Sequence, residues 1–335
     1  MRDGDLLSLP SFRTRPPWLG GDLQTLRNYL LRVQPKLDRW PGERIEFPLD
    51  DGSGDVLLGS LHRPAEDDAT TRRRPLVVLI HGLAGCEDSA YLRASARHLL
   101  RRGFPVLRLN LRGAGPSRQI CRQQYHAGRT EDLAAAIGRM DGRLAGNGLC
   151  LVGFSLGGNM LLKYLGERGR LAPVLAAASV SAPIDLAAAQ QGMMARRNRV
   201  YQDYILAGMK RELLAGPALD DEVRRVAGEV RDVRGFDDRL TAPLNGFAGV
   251  DDYYARSGAV PFMGGITVPT LVIHAQDDPW IPAEAYVRFR WDDNPRLVPL
   301  LPRRGGHVGF HGLGSFVPWH DRCIAAFFAR MAGAS

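Results

Sequence analysis

Residues 149–157 read Leu-Cys-Leu-Val-Gly-Phe-Ser-Leu-Gly, an apolar run that ends in a serine between two glycines. A continuous apolar run predicts a strand covered on both faces, and the residues that follow predict a helix. A serine at a sharp strand-to-helix turn is typical of a catalytic nucleophile, because the turn exposes its hydroxyl group. Gly153 and Gly157 fit this turn, since side chains at either position would collide in it. We therefore expect Ser155 to be a nucleophile; the alternative is a tight turn without chemistry.

The rest of the sequence alternates between strands and helices. Strands are predicted at residues 44–49, 56–62, 76–80, 106–110, 149–154, 174–180, 270–274 and 296–301. Helices are predicted at residues 22–33, 91–102, 130–139, 157–167 and 321–331. Most of the strand-like runs are apolar throughout rather than alternating, which indicates strands covered on both faces. The sequence therefore predicts an α/β fold with a mostly parallel sheet flanked by helices.

One interval breaks this alternation. Residues 186–265 contain helical stretches rich in Met, Tyr and Arg but no clear strand. We interpret them as a helical cap inserted into the sheet domain; the alternative is additional helical packing. Residues 43–185 and 266–335 then form the core, and residues 1–42 form an N-terminal extension that packs on it.

A serine hydroxyl is a poor nucleophile unless a base takes its proton. When the serine lies at this kind of turn, the partners follow in the order acid and then histidine. His307 lies in a loop after the last predicted strand and is the expected base. Asp277 and Asp278 follow the strand at 270–274, so one of them should orient the imidazole ring. We prefer Asp278, which precedes Pro279; the other aspartate would then hydrogen-bond the turn.

An oxyanion forms when a serine attacks an ester, and N–H donors stabilise it. The N–H of Leu156 lies at a predicted helix N-terminus directly after the serine, where helix N–H groups are free. A second donor should come from the loop after an early strand, and residues 81–85 (His-Gly-Leu-Ala-Gly) follow the strand at 76–80. We expect Leu83 to supply that N–H. His81 is interpreted as a structural loop residue rather than a second base.

The remaining histidines and the cysteines offer no second chemistry. Three histidines are interpreted as surface or helix positions: His62, His98 and His320. His274 belongs to an apolar strand, and His311 lies near His307 without the HExxH pattern of a zinc pair. The four cysteines are scattered without a CxxC pair, and Cys150 is expected to be a small core residue. We therefore expect no cofactor, no metal site and no disulfide framework.

Composition limits the class of partner. The formal net charge is +8, but only three of the 44 Lys and Arg residues are lysines, and the basic residues are spread along the chain. No nucleic-acid-reading motif is present, so we expect no nucleic-acid partner, whereas peripheral contact with an acidic membrane stays open. No stretch approaches the roughly 18 consecutive apolar residues of a membrane-spanning helix. Residues 1–5 carry acid rather than an apolar signal core, so the expected location is the cytoplasm.

Several segments together resemble one family. They are 23–25 (LQT), 81–85 (HGLAG), 110–113 (NLRG), 125–128 (YHAG), 153–159 (GFSLGGN), 181–183 (SAP), 236–242 (FDDRLTA), 274–279 (HAQDDP) and 305–310 (GGHVGF). This set resembles the YheT-like subfamily of the α/β-hydrolases, and Asn159 and segment 236–242 separate that subfamily from other hydrolases. The resemblance implies an α/β-hydrolase fold, a triad of Ser155, Asp278 and His307, and hydrolysis of carboxylic esters. Eukaryotic relatives act on lipids, and some yeast relatives move acyl groups to alcohols.

The expected protein is thus a serine hydrolase that cleaves carboxylic esters, with short- to medium-chain acyl groups or a lipid-like structure, through an acyl-enzyme. One alternative is an acyltransferase that moves an acyl group to an alcohol with the same triad. Another is a non-catalytic binding protein on the same scaffold. The sequence leaves open the physiological substrate, the acyl length and the oligomeric state.

Two further sets of residues have predicted roles, one in a channel through the expected cap and one in holding a loop. Five residues of the expected cap suggest an apolar channel: Met193, Met194, Tyr201, Tyr204 and Ile205. Their helical spacing would suit the interior of the cap equally well. His126 and Asp132 lie near a family-like segment, and we expect them to hold the loop after the strand at 106–110.

Overall fold

The computed structural model describes residues 9–65, 71–140, 142–217 and 219–333, so residues 1–8 of the expected N-terminal extension lie outside the described residues. Its strands are β1 (Gly42–Pro48), β2 (Val56–His62), β3 (Leu76–Ile80), β4 (Val106–Leu109), β5 (Leu149–Phe154), β6 (Ala176–Val180), β7 (Thr270–Ile273) and β8 (Leu297–Leu300). They form one eight-stranded sheet in the order β1-β2-β4-β3-β5-β6-β7-β8. The pairs β1–β2 and β2–β4 are antiparallel, and all the other pairs are parallel. The predicted α/β fold with a mostly parallel sheet is confirmed.

Helices flank the sheet and occupy the interval between β6 and β7. The α-helices are α1 (Gly21–Leu30), α2 (Ala90–Arg101), α3 (Thr130–Gly138), α4 (Gly142–Ala145), α5 (Leu156–Arg168), α6 (Leu186–Met193), α7 (Arg199–Leu214), α8 (Asp221–Glu229), α9 (Val233–Phe236), α10 (Ala242–Leu244), α11 (Val250–Ser257), α12 (Glu284–Arg288) and α13 (Trp319–Gly333). Short 3₁₀ turns lie at Thr71–Arg73, Gly115–Gln119, Gly169–Leu171, Arg196–Asn198, Val260–Gly265 and Trp291–Asp293, and Asp237–Thr241 is a π-helical turn. The predicted helices are found as α1, α2, α3, α5 and α13. Helix α1 ends before the predicted residue 33, because Arg32 adopts a left-handed φ of 47°.

The central strands are covered on both faces. Successive side chains of a strand point to opposite sides, so each strand contributes to two apolar clusters. Val77 and Leu79 of β3 belong to the cluster that includes residues of α2 and α13. Val78 and Ile80 belong to the cluster that includes residues of α3 and α5. Cys150 of β5 is fully buried, as predicted for a small core residue.

Residues 186–265 contain helices α6 to α11 and, within their described part, no strand. They have their own apolar cluster, which includes Met193, Tyr201 and Ile205. Met194 and Tyr204 are 43% and 61% exposed. Three of the five residues thus pack inside this interval and two face solvent, and the apolar channel stays a prediction. The role of this interval as a cap stays a prediction.

Candidate active site

Three of the predicted site residues meet at one edge of the sheet. Ser155 directly follows β5, Asp278 follows β7 and His307 follows β8. The carboxyl ends of parallel strands share an edge, so the loops after them converge. His307 Nε2 lies 3.0 Å from Ser155 Oγ, and His307 Nδ1 lies 2.8 Å from Asp278 Oδ2. One imidazole ring thus contacts both the hydroxyl group and a carboxylate.

The turn at Ser155 holds the serine in a strained backbone conformation, with φ of 50° and ψ of −124°. Its N–H donates to the carbonyl oxygen of Val180 over 2.8 Å. A Cβ atom at Gly153 would lie 2.3 Å from the carbonyl oxygen of Gly157, and one at Gly157 would lie 2.3 Å from that of His81. Both positions therefore need glycine, because backbone atoms fill the space of a side chain.

The carboxylate of Asp278 is buried and held by backbone donors. Its Oδ1 accepts hydrogen bonds from the N–H groups of Trp280 (2.8 Å) and Ile281 (3.1 Å), which leaves Oδ2 for His307. Burial raises the pKa of this carboxyl group, but the charge of the imidazole ring and the hydrogen bonds outweigh burial and hold the pKa below its ordinary value. Asp278 is therefore ionised at neutral pH.

Asp277, the other candidate acid, makes a different contact. Its Oδ1 accepts a hydrogen bond from the N–H of Gly306 over 2.9 Å. Helix α1 packs on its backbone so closely that a Cβ atom at Gly21 would lie 1.9 Å from the carbonyl oxygen of Asp277. Asp277 thus fixes the turn before His307, which agrees with the structural role predicted for the second aspartate.

Helix α1 also holds the histidine itself. The N–H of His307 donates to Thr25 Oγ1 over 2.8 Å, and the side chain of Gln24 bonds both the N–H and the carbonyl oxygen of His311. Sequence reasoning did not assign these residues. Segment 23–25 was the available signal, because the family resemblance includes it.

Two further contacts fix the imidazole ring and its loop. The indole of Trp280 stacks on the ring of His307 at a centroid distance of 4.3 Å and an angle of 27°. The N–H of Val308 donates to Ser181 Oγ over 3.1 Å. The family-like segment 181–183 could have indicated Ser181, whereas nothing in the sequence marks Trp280.

The loop after β3 carries the predicted oxyanion donor. The N–H of Gly82 donates to the hydroxyl group of Tyr91, and the N–H of Ala84 donates to that of Tyr125, each over 2.8 Å. The N–H of Leu83 lies between them and has no acceptor among the described residues. The sequence predicts Leu83 but misses the contacts of both tyrosines. Segment 125–128, which begins with Tyr125, was the available signal for one of them, whereas nothing in the sequence marks Tyr91.

The second predicted donor directly follows the serine along the chain. Leu156 is the first residue of α5, and the first N–H groups of a helix have no acceptor within it. Gly82 packs against the serine, since a Cβ atom there would lie 2.9 Å from Ser155 Cβ and 3.5 Å from Ser155 Oγ. The loop with Leu83 and the helix end with Leu156 thus flank one hydroxyl group, an arrangement suited to an oxyanion.

His81 is a structural residue of the same loop, as expected. Its Nδ1–H donates to the carbonyl oxygen of Gly82 over 2.8 Å, and its Nε2 accepts the N–H of Leu111 over 3.0 Å. Burial lowers the pKa of His81 to about 4, so the ring is neutral.

His62 differs from its predicted setting. It was expected at the surface or on a helix, but it is buried in β2 between β1 and β4. Its Nδ1 donates to the carbonyl oxygen of Trp40 (2.7 Å) and its Nε2 accepts from Arg108 Nε (3.1 Å). His98 and His320 lie on α2 and α13 as expected, although both are buried.

The loop after β4 is held as the sequence suggested. Asp132 Oδ2 accepts a hydrogen bond from Arg112 Nε over 2.9 Å, and both side chains are buried. His126 Nδ1 accepts the N–H of Gly128 over 3.2 Å. Neither Asp132 nor His126 contacts the imidazole ring of His307 in the described structure.

Other kinds of site are not found in the part of the chain that the structure describes. No group of three or more His, Cys, Asp or Glu side chains there is placed to hold a metal ion. All four cysteines are free thiols. Among the described helices, none combines the length and the hydropathy needed to cross a membrane.

A cavity of about 40 Å³ opens beside the loop after β3. Its wall is formed by Leu83, Gln124, Tyr125, His126, Leu156, Met209, Glu212, Phe236, Asp237, Thr241 and Tyr253. Two of these side chains are acids in an unusual setting: burial raises the pKa of Glu212 to about 7 and that of Asp237 to about 6. The cavity therefore adjoins both candidate oxyanion donors and is partly polar.

Comparison with known proteins identifies relatives along most of the chain. A family model described as alpha/beta hydrolase fold matches residues 75–311. The YheT protein of Escherichia coli (strain K12), named provisionally as an esterase, is 34% identical over 87% of this chain and 84% of that protein. A monoacylglycerol lipase of Saccharomyces cerevisiae is 28% identical over 78% of this chain and 59% of that protein. A medium-chain fatty acid ethyl ester synthase/esterase 2 of the same yeast is 30% identical over 76% of this chain and 62% of that protein.

Solved structures show the same architecture at lower identity. The Pyrococcus furiosus esterase Pf2001 superposes with a TM-score of 0.57 over 87% of this chain and 93% of that chain. The two sequences are 16% identical, so this likeness concerns the fold alone.

Proposed function

Because this chain belongs to the α/β-hydrolase family, we propose that it hydrolyses carboxylic esters with Ser155 as nucleophile, His307 as base and Asp278 as the acid that orients the base. Its relatives are esterases and lipases, which supports ester hydrolysis as the general reaction. The observation that carries the proposal is the contact of one imidazole ring with both Ser155 Oγ (3.0 Å) and Asp278 Oδ2 (2.8 Å).

The proposed reaction has two steps. His307 Nε2 takes the proton of Ser155, whose oxygen attacks the ester carbonyl carbon. Asp278 holds the ring with its protonated Nδ1 inward and stabilises the imidazolium ion that forms. His307 then gives the proton to the leaving alcohol, and water hydrolyses the acyl-enzyme by the same path. No step needs a cofactor.

The negative charge of each tetrahedral intermediate falls on the former carbonyl oxygen. We assign the N–H groups of Leu83 and Leu156 as its hydrogen-bond donors. Two observations support this assignment: Gly82 packs closely on the serine, and Leu156 is the first residue of α5. Donors fixed before the reaction stabilise this charge without reorganising, and each such donor is worth about 3 kcal/mol in other enzymes.

The proposed substrates are esters with short- to medium-chain acyl groups or a lipid-like structure. The names of the yeast relatives support this class. The cavity of about 40 Å³ beside Leu83 and Leu156 has space for more than a single water, which needs roughly 10–15 Å³. We propose that residues 186–265 form a cap over the site.

The test of the proposal is hydrolysis of p-nitrophenyl esters from acetate to palmitate. We expect Ser155→Ala to abolish turnover and Asp278→Asn to lower kcat by a factor on the order of 10⁴, since the amide would hold the wrong imidazole tautomer. Asp277→Asn, the matched control, should lower kcat far less. Full activity in Ser155→Ala would reject the proposal, and greater damage from Asp277→Asn would transfer the acid to that residue.

A second candidate is acyl transfer to an alcohol by the same triad. The double name of the second yeast relative, synthase and esterase, favours it. Both activities share the acyl-enzyme and differ only in the acceptor. Product analysis at high ethanol concentration separates the two reactions. Formation of the ethyl ester would support acyl transfer, whereas formation of the acid alone would support hydrolysis.

A non-catalytic binding protein on this scaffold is the remaining alternative from the sequence. It would bind a ligand without forming an acyl-enzyme. Turnover of any p-nitrophenyl ester that depends on Ser155 would exclude it.

A further inference from the structure

Helix α7 packs directly on the loop after β3 (residues 81–85), which carries the proposed oxyanion donor Leu83 and is called the oxyanion loop below. A Cβ atom at Gly208 would lie 2.8 Å from Ala84 Cβ, so the helix and the loop touch at this point. Glu212 lies one helical turn further along α7, on the same face. The interval between β6 and β7 thus reaches the loop that carries the Leu83 N–H through two neighbouring positions of one helix.

The hydroxyl group of Tyr125 joins Glu212 to that loop. It donates a hydrogen bond to Glu212 Oε2 over 3.0 Å and accepts one from the N–H of Ala84 over 2.8 Å. A hydrogen bond to the carboxyl oxygen polarises the hydroxyl group, which makes its oxygen a better acceptor for the second bond. The three groups therefore form a hydrogen-bonded chain that runs from α7 to the loop backbone.

The loop needs such support because its backbone is strained. Ala84 adopts a φ of 53°, the left-handed region that residues with a side chain rarely occupy. A conformation of this kind costs on the order of 1–3 kcal/mol and persists only where neighbouring groups hold it. On the other side of Leu83, the Tyr91 hydroxyl group holds the N–H of Gly82. The unbonded N–H of Leu83 is thus fixed from both sides.

A carboxyl group buried at position 212 lowers the stability of the folded state. Packing alone therefore does not explain why Glu212 is present. Burial raises the pKa of its carboxyl group, and the hydrogen bond from Tyr125 and the charges of Arg118 and Arg211 offset this effect only in part. An apolar side chain of similar size would fill the space at lower cost. The hydrogen bond to Tyr125 is the contact that an apolar side chain could not make.

We propose that Glu212 and Tyr125 are positioning residues that hold the Leu83 N–H in the oxyanion hole. The proposal rests on the proposed function, and neither residue takes part in proton transfer. A misplaced donor weakens binding of the transition state more than that of the ester. Loss of either residue should therefore lower kcat and leave KM nearly unchanged.

The test measures kcat and KM for p-nitrophenyl butyrate in Tyr125→Phe, Glu212→Leu and the double variant. Each single variant should lower kcat by about 10- to 100-fold, less than removal of a donor outright. The double variant should be no worse than either single one, because both break the same chain. Glu212→Gln keeps an acceptor for the Tyr125 hydroxyl group and should recover most of the kcat that Glu212→Leu loses.

The matched control is Tyr254→Phe, which removes a similar buried hydrogen bond (2.8 Å to Asp237 Oδ2) beside the same cavity but without a bond to the loop backbone. It should lower the melting temperature and leave kcat within about threefold, a change under 1 kcal/mol in activation energy. The proposal is overturned if the Tyr125 and Glu212 variants change kcat no more than this control, if their effects multiply in the double variant, or if they act through KM. Ser155-dependent turnover in the wild type is measured in the same assay, so failure of the proposed function would be visible separately.

Discussion

At the scale of single residues, the site depends on backbone positions that admit no side chain. Ser155 has a φ of 50°, and the two glycines that flank it lie against carbonyl oxygens of the same turn and of the loop after β3. The sequence predicted both glycines from the geometry of the turn. It could not show that Gly157 meets the backbone of His81, because that contact joins segments far apart along the chain.

Replacement of Gly157 by alanine should disrupt the turn. The new Cβ atom would lie 2.3 Å from the carbonyl oxygen of His81, so the backbone must shift. We expect the free energy of unfolding to fall by about 1–3 kcal/mol and ester hydrolysis to fall at least tenfold. Gly138→Ala is the control, since open space surrounds its Cβ position. Equal stability and activity of the two variants in urea titrations and ester assays would contradict this explanation.

Glu212 should make the stability of the protein depend on pH. Burial raises its pKa from 4.5 to about 7, so the folded state holds the proton more tightly than the unfolded state. Stability contributed by the protonated group is therefore lost as pH rises from about 4.5 through 7. The side chain of the Glu212→Gln variant does not titrate. The difference in free energy of unfolding between this variant and the wild type should therefore shift in favour of the variant across this range, by on the order of 2–3 kcal/mol. Urea unfolding at pH 4.5 and pH 8 measures the difference; a constant difference would show that Glu212 ionises freely in the folded state.

At the scale of elements, helix α1 supports the loop that carries His307. Its N-terminus packs on Asp277, and Thr25 and Gln24 bond the backbone of residues 307 and 311. Periodicity alone predicted a helix here but not its partner, because a contact across 282 residues leaves no local pattern. The contact of Tyr125 with Ala84, across 41 residues, was missed for the same reason. Strands were predicted well, since an apolar run reports burial directly.

Thr25→Val should slow the enzyme without unfolding it. The valine keeps the shape of threonine but offers no acceptor to the N–H of His307, which then loses a 2.8 Å hydrogen bond. We expect kcat to fall by about tenfold, because the imidazole ring is less well placed for proton transfer. Thr25→Ser keeps the hydroxyl group and should retain most of the activity. The role assigned to α1 would be wrong if the serine and valine variants had the same kcat.

At the scale of the whole molecule, a buried arginine ties distant segments together. Arg112 pairs with Asp132 of α3 and with Asp51 and Asp55 of the β1–β2 turn, and its side chain is 2% exposed. The sequence assigned Asp132 to the support of this loop, and the structure adds the arginine and the hairpin. No sequence pattern indicates such a pairing, because charged residues are spread along this chain.

Arg112→Met should destabilise the protein strongly. The change would leave Asp55 and Asp132 buried without their cation, and breaking a buried pair in this way costs about 3–5 kcal/mol. The control is Arg225→Met on α8, whose ion pairs with Glu222 and Glu229 are exposed, so its melting temperature should stay near that of the wild type. Thermal unfolding of the two variants decides the matter: equal melting temperatures would mean that the buried network contributes no more than a surface pair.

The most direct test of the central claim is the mass of the intact protein after reaction with a fluorophosphonate. An activated serine attacks this reagent and keeps the phosphonyl group. We predict one adduct in the wild type, located on Ser155, none in Ser155→Ala, and strongly slowed labelling in His307→Ala. An adduct that persists in Ser155→Ala, or its absence from the wild type, would contradict the assignment of Ser155 as the nucleophile.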